Sequence, residues 1–462
     1  MPKEKKLPNP QENKMGIMPV GRLLFTMALP MIIAMLVQAL YNVVDSIYVS
    51  RISEKAVTAL SLAFPVQNIL IGFATGVGVG VNALLSKSLG EGNQKAANRA
   101  AGNGVFLAVS AMLLFVLFGI FGTRPFFSLQ SDVPETVEGG TIYTAICCIG
   151  SLGIFIEVLG ERLLQSSGRT FYTMITQGTG AVINIVLDPV FIFGFAPLGI
   201  PAMGIAGAAV ATIIGQWVAA ILAVIFNLKC NPDVQFALSY LKPKKSSILP
   251  ILTVGVPSII MMAIGSVMTF SMNQILQGLD PTETSAGVFG IYFKLQSFFF
   301  MPLFGINNAT ISIVAYNYGA RNPKRITGTL LRSSITALCI MILGLLSFQF
   351  LPDLLLGIFN PTPEFLRIGR SALRIIGICF PAAAFGIALS ASFQALGNGI
   401  YATITSLCRQ MFVLLPAAYL LSLTGEVTNV WWSFPIAECV SLGVTIFLFT
   451  RIYHKKIKPL SE

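Results

Sequence analysis

Polar residues divide this chain into long apolar runs, and the spacing of the breaks sets the fold. Runs of about 20 residues, long enough as helices to cross roughly 30 Å of hydrocarbon, recur twelve times, at approximately 23–48, 59–84, 100–121, 139–162, 170–194, 203–228, 248–276, 285–315, 328–350, 368–395, 400–423 and 429–450. The pattern predicts an all-α integral membrane protein with twelve transmembrane helices. Composition agrees, since 55% of the 462 residues are hydrophobic and only 11% are charged, a balance in which apolar surface is shared with lipid.

The second half of the pattern repeats the first. Gln67, Gly76, Gly90, Asn93 and Lys95 match Gln296, Gly305, Gly319, Asn322 and Lys324 at an offset of 229, and Gln165, Gly168, Tyr172 and Thr176 match Gln394, Gly397, Tyr401 and Thr405 at the same offset. Pro30 matches Pro257 at 227. Six spans per half bring both repeats into the bilayer from one side, so the repeats are parallel, as in transporters whose two bundles rock around a central path. The expected organisation is a cytoplasmic segment 1–22, a six-helix bundle 23–228, a linker 229–247, a second six-helix bundle 248–450 and a basic tail 451–462. Pro30 and Pro257 each remove a helical hydrogen bond inside the first span of a half and favour a bend, which makes Pro30 a candidate conformational residue. The run Gly76, Gly78, Gly80 is spaced like part of a nucleotide loop, but no strand precedes it and close helix packing accounts for it.

Charge orients the array. With the N-terminus inside, most Lys and Arg, including Lys3, Lys5, Lys6, Lys87, Lys95, Lys242, Lys244, Lys245, Lys324, Arg325, Lys455 and Lys456, fall in cytoplasmic segments, while Arg51, Lys55, Arg124, Arg367 and Arg370 lie outside. Both termini are therefore expected in the cytoplasm. The net charge of +11 is spread over short loops, which fits insertion topology and gives no folded face for nucleic acid. No cleavable signal peptide is expected, because residues 1–20 are polar and the first apolar run continues as a full span. The seven cysteines lack zinc-ligand spacing, the single histidine, His454, lies in the tail, and no Walker A pattern occurs. The chain reads as neither an enzyme nor an ATP-driven pump, and no cofactor is expected.

Four carboxylates fall within predicted spans and more than one residue from a span end: Asp45, Glu157, Asp188 and Glu438. A charge at bilayer depth costs about 2.5–3.5 kcal/mol on insertion scales, so each is a functional candidate. Asp45 and Asp188 lie at similar depth, near the extracellular ends of their spans. Asn42 and Asn184 precede them by three and four residues, on the same helical faces, and Thr212 in the sixth span reaches a similar level. Pro189 leaves a carbonyl one turn earlier without a donor. These are hard oxygen donors suited to a metal ion such as Na+ or to a proton; the alternative is a polar network that braces the bundle. The repeat places apolar residues opposite them: Met272 for Asp45, and Val413 and Ala417, or Met411 and Leu415, for Asn184 and Asp188. The second half instead carries Lys294, Arg374 and Arg409 within spans. Lys294, Arg409 and Glu438 read as an internal ion pair, Glu438 with Lys294 or Arg409, or as substrate contacts. Glu157 is a secondary candidate that pairs with Arg162 or lines an inner vestibule.

The segment ALPMIIAMLVQALYNVVDSIYVSRI, the loop LLSKSLGEGNQKAANRA with its echo IVAYNYGARNPKRI, the pair LLQSSGRTFY and FQALGNGIYA, and INIVLDP followed by GIAGAAVAT resemble multidrug and toxic compound extrusion (MATE) transporters over roughly residues 16–452. The resemblance is nearest to the MepA-like and DinF-like branches of bacteria or archaea. It implies two six-helix bundles forming a V around a cavity in a prokaryotic cytoplasmic membrane, a monomer, and export of amphipathic or cationic organic compounds by Na+ or H+ antiport. The family's N-lobe cation site falls on Asp45, Asn184, Asp188 and Thr212. The segments IGSVMTFSMNQI and GICFPAAAFGIALSASFQALG hold no acid, which leaves the alternative C-lobe site of other members unmatched. A lipid-linked oligosaccharide flippase of the same superfamily is the other expectation, supported by Lys294, Arg374 and Arg409, since phosphate recognition calls for basic residues.

Overall fold

A computed structural model describes residues 13–280, 284–359 and 362–461, apart from the side chains at 42, 43, 46, 50, 54, 57 and 198. Among the described residues the chain is helical, with only an isolated bridge between Phe195 and Ile200. The main helices of the first half are α1 (Val20–Ser50), α2 (Glu54–Gly90), α3 (Gln94–Ser128), α4 (Pro134–Ile149), α5 (Leu152–Ser166), α6 (Thr170–Phe193) and α7 (Ile205–Cys230). Those of the second are α8 (Lys245–Leu279), α9 (Thr284–Gly319), α10 (Pro323–Phe350), α11 (Pro363–Gly377), α12 (Phe380–Ala395), α13 (Gly399–Ser422) and α14 (Ser433–Ile452). Among the described residues, ten helical stretches are long and apolar enough to span a membrane, and two bent pairs, α4 with α5 and α11 with α12, bring the total to 12 where each pair is one span.

The repeat recurs in local geometry. The bent pairs turn by 47° and 48°. Asn93 and Asn322, 229 residues apart, each cap a helix by accepting the backbone N–H of Ala96 or Arg325. The residue before each cap has a left-handed backbone, Gly92 at φ 69° and Arg321 at φ 53°. Gly168 and Gly397 close the next matched turn at φ 78° and 74°.

Contacts divide the chain into two compact units: Ile33–Ile259 with the stretch ending at Ile17, and Met18–Ile32 with the chain from Ile260 onward. The chain thus changes unit inside α1 and inside α8, two residues beyond Pro30 and Pro257, and both helices continue through their prolines. The linker fastens the start of α8 to the first unit. Along α3, Gln94 Nε2 donates to the Asp233 carbonyl (2.9 Å), Asn98 Oδ1 accepts Gln235 N–H (2.9 Å), and Asn103 donates to the Tyr240 carbonyl (3.0 Å) and accepts Lys244 N–H (2.8 Å). Gly102 lets the Tyr240 backbone lie directly against α3. Burial raises the Asp233 carboxyl above its usual range, and the Arg169 guanidinium 3.4 Å away opposes that shift.

In the first unit the glycine run of α2 meets close neighbours. A Cβ on Gly76 would stand 2.7 Å from the Gly255 carbonyl oxygen, one on Gly78 would stand 2.8 Å from Arg162 Cγ, and Gly80 lies against the Ile251 backbone. Helix packing is what these glycines serve. The second unit is built around aromatic rings, with Phe289, Tyr292, Phe348, Phe380 and Trp431 buried together. Met272, the repeat counterpart of Asp45, is fully buried in that apolar cluster.

Candidate functional site

Asp45 and Asp188 each lie five residues before the end of their helix, Ser50 for α1 and Phe193 for α6, on the side away from the basic loops. Glycines bring the neighbouring helix within reach. Gly180 of α6 and Gly215 of α7 approach so closely that a Cβ on Gly215 would lie 2.8 Å from the Gly180 carbonyl oxygen. One turn further along, Asn184 Nδ2 donates to Asp188 Oδ1 (3.3 Å) and to Thr212 Oγ1 (3.3 Å), and the Thr212 hydroxyl donates to the Ala208 carbonyl (3.0 Å). Asp188 is completely buried and Asn184 nearly so. Asn184, Asp188 and Thr212 thus form one hydrogen-bonded group, and Asp45 lies in the same compact unit. The Asn42 side chain lies outside the described residues.

Three oxygens at this place are buried and lack a hydrogen-bond partner among the described residues: Asp45 Oδ1, Asn184 Oδ1 and Asp188 Oδ2. An unsatisfied buried acceptor costs about 1–3 kcal/mol, so each of the three is a ready ligand for a cation or a proton. They suit a desolvated Na+ or a proton shared between carboxylates. No cluster of three or more His, Cys, Asp or Glu side chains that would hold a metal occurs among the described residues; the donors here are two carboxylates, an amide and a hydroxyl. An apolar cap of Val49, Phe127, Tyr143, Ile192, Ala208 and Ala209, with Tyr48 and Ile205 packed on it, includes neighbours of the site on three of its helices.

Sequence reasoning missed several polar neighbours. Tyr41, one turn before Asp45, lies within the field of Asp45, Glu157 and Asp188. Gln67 Nε2 donates to the Tyr143 hydroxyl (2.8 Å), and Tyr143 feels the charge of Asp45. The signal for Gln67 was its recurrence as Gln296; the tyrosines carried none, since an aromatic ring in an apolar run reads as packing. Glu157 is half-buried and not paired with Arg162, which instead donates to Gln165 Oε1 (2.9 Å) with its stem against Gly78.

In the second unit the ion pair forms between Arg409 and Glu438 at 3.2 Å, with side chains 28% and 12% exposed. Lys294 is exposed and makes no ion pair among the described residues, so it is not the partner of Glu438. Arg409 sits in a π-helical turn, Cys408–Leu414, whose wider backbone departs from the regular α6 that it repeats. Arg374 is exposed, and its carbonyl accepts Gln349 Nε2.

The sequence profile of the MatE family matches residues 30–190 and 257–420, one match in each half. The chain belongs to the MatE family. It is a multi-pass membrane transporter of that family. Curated relatives include an FAD transporter of Shewanella oneidensis (25% identical, covering 94% of this chain and 95% of the relative), the multidrug export protein MepA of Staphylococcus saprophyticus (23%, 89% and 90%) and a probable multidrug resistance protein NorM of Thermotoga maritima (28%, 86% and 85%). Among solved structures, a MATE transporter in a straight conformation superposes with a TM-score of 0.89 at 25% identity, covering 99% of this chain and 100% of the other. A transporter from Pyrococcus furiosus, described as having a binding pocket of reversed polarity, shares the fold at a TM-score of 0.88, 24% identity, and 99% and 100% coverage.

Proposed function

We propose that this MatE-family transporter is a secondary active antiporter that exports amphipathic or cationic organic compounds against inward flow of Na+ or H+. The observation that carries the reading is the group of buried, unpartnered oxygens on Asp45, Asn184 and Asp188, beside Thr212. A cation entering from outside neutralises this group and favours one conformation; its release toward the cytoplasm favours the other, and substrate leaves in exchange. One charge moving inward through 100 mV supplies about 2.3 kcal/mol, enough for more than a tenfold substrate gradient. Both termini lie in the cytoplasm in this reading, and the bundles 23–228 and 248–450 alternate access as a monomer.

Ethidium efflux from proteoliposomes under separately imposed Na+ and H+ gradients tests it. Driven efflux should be lost in Asp45→Asn and in Asp188→Asn at equal reconstitution; undiminished efflux in either variant contradicts the assignment.

Export of compounds with an anionic group is a second reading, favoured by Lys294. An exposed ammonium without an ion pair among the described residues, about 15 Å along α9 from Thr284, is costly against lipid and stable in a water-filled path. The FAD-transporting relative and the superfamily's lipid flippases fit that reading. Lys294→Met should then abolish transport of a phosphorylated substrate while leaving ethidium efflux intact.

A further inference from the structure

α5 carries Glu157, Glu161 and Gln165 at four-residue spacing, on one helical face. Glu161, 3% exposed, accepts hydrogen bonds from Thr176 Oγ1 (2.9 Å) and Gln177 Nε2 (2.8 Å) of α6. Glu157, four residues earlier on α5, lies about 6 Å nearer the end of the α5–α6 hairpin that carries Asp188. Neither glutamate makes an ion pair within 4 Å among the described residues; the Arg162 guanidinium, which hydrogen-bonds to Gln165, still acts on Glu161 through its charge.

The facing helix continues the polar track. Asp188, Asn184, Thr176 and Thr173 are all buried along α6. Thr173 Oγ1, 1% exposed, has no partner among the described residues. Asp188 lies five residues from one end of the α5–α6 hairpin and Glu161 five from the other, counted to Phe193 and Ser166. Glu161 takes one hydrogen bond on each carboxylate oxygen, and two carboxyl groups at membrane depth without ion pairs point to a task.

We propose that Glu157 and Glu161 form an inward relay, a second station that takes the coupling cation from the Asp45–Asp188 site and releases it toward the basic loops. The proposal rests on the cation-coupled reading. With a proton, the aspartic acid gives up its proton and becomes a carboxylate, Glu157 takes the proton up, and Glu161 receives it in turn before release to water. With Na+, the ion moves between the two carboxylate sites and no covalent bond changes.

Reconstituted Glu157→Gln, Glu161→Gln and Asp188→Asn variants separate the possibilities, each measured for gradient-driven ethidium efflux, ethidium counterflow without a gradient, and thermal unfolding. Counterflow needs no cation release, so the relay predicts driven efflux reduced about tenfold or more in the glutamate variants, with counterflow and unfolding temperature retained. Unchanged driven efflux in both glutamate variants overturns the relay. So does a parallel loss of efflux, counterflow and thermal stability, which marks a brace; Glu161→Asp, which keeps the charge, should recover driven efflux if a relay is at work. Full activity in Asp188→Asn beside impaired glutamate variants would contradict the outer coupling site and leave the inner pair as the site itself.

Discussion

Asn184 reaches Thr212 because Gly180 and Gly215 leave no side chain between α6 and α7. A methyl group on Gly215 would meet the Gly180 carbonyl oxygen at 2.8 Å and Asn184 Cβ at 3.3 Å, and backbone cannot step aside as a flexible side chain does. Gly215→Ala should therefore destabilise the protein by about 1–3 kcal/mol and weaken the cation dependence of efflux. Gly178→Ala on the same helix meets nothing within 4 Å and should be tolerated, raising stability slightly if anything. Thermal unfolding of the two variants checks the contrast, and equal effects would mean that the close approach does not set the site. At this scale the sequence exposed the charged members of the site because acids are rare in apolar runs. Glu161 escaped attention because the predicted span ended at 162, near the interface; the helix runs on to Ser166 and buries it.

At the scale of elements, the apolar runs locate the helices, and the 229-residue offset is carried into matching caps and turns. The fourth and tenth runs were single spans by length, whereas each is a pair of helices bent near its middle; hydrophobicity records how much chain is apolar and carries no direction. The linker marks a boundary in the sequence as the longest basic connection within the chain. Its attachment depends on Gln94, Asn98 and Asn103, whose pairing with a segment about 140 residues away leaves no local pattern. Asn103 is fully buried and bonded to the linker at Tyr240 and Lys244, so Asn103→Ala should cost about 1–3 kcal/mol and make the linker more susceptible to proteolysis. Resistance equal to wild type would show that packing at Gly102 suffices. The prolines belong to the same scale: the chain passes between compact units two residues after each. Pro30→Ala restores a hydrogen-bond donor in α1 and should slow exchange between inward- and outward-open states, as read by spectroscopic distances across the bundles; unchanged kinetics would leave the proline a packing feature.

For the whole molecule, the pseudo-symmetric halves carry different chemistry. The first places its acids where the second has Met272 in an aromatic and aliphatic core, and the second holds its charge as the Arg409–Glu438 pair. Removing Arg409 alone strands a buried carboxylate, so Arg409→Met should lower stability by about 3 kcal/mol, and adding Glu438→Gln should recover much of that loss while ethidium efflux persists. A double mutant that is stable yet inactive would instead give the pair a direct role in transport. The asymmetry was legible from sequence, since aligned repeats reveal a charge present in one copy only; which cation partners Glu438 was not, because that depends on side-chain direction.

The central claim, that the acids of the first unit bind the coupling cation, is tested most directly by charge movement. Proteoliposomes adsorbed to a sensor membrane are given a sudden Na+ or H+ step, and the resulting current is recorded. Wild type should give an inward charge displacement with one of the two cations, and Asp45→Asn and Asp188→Asn should each abolish it while remaining folded. Wild-type currents in both variants, or no current with either cation in wild type, would contradict the account.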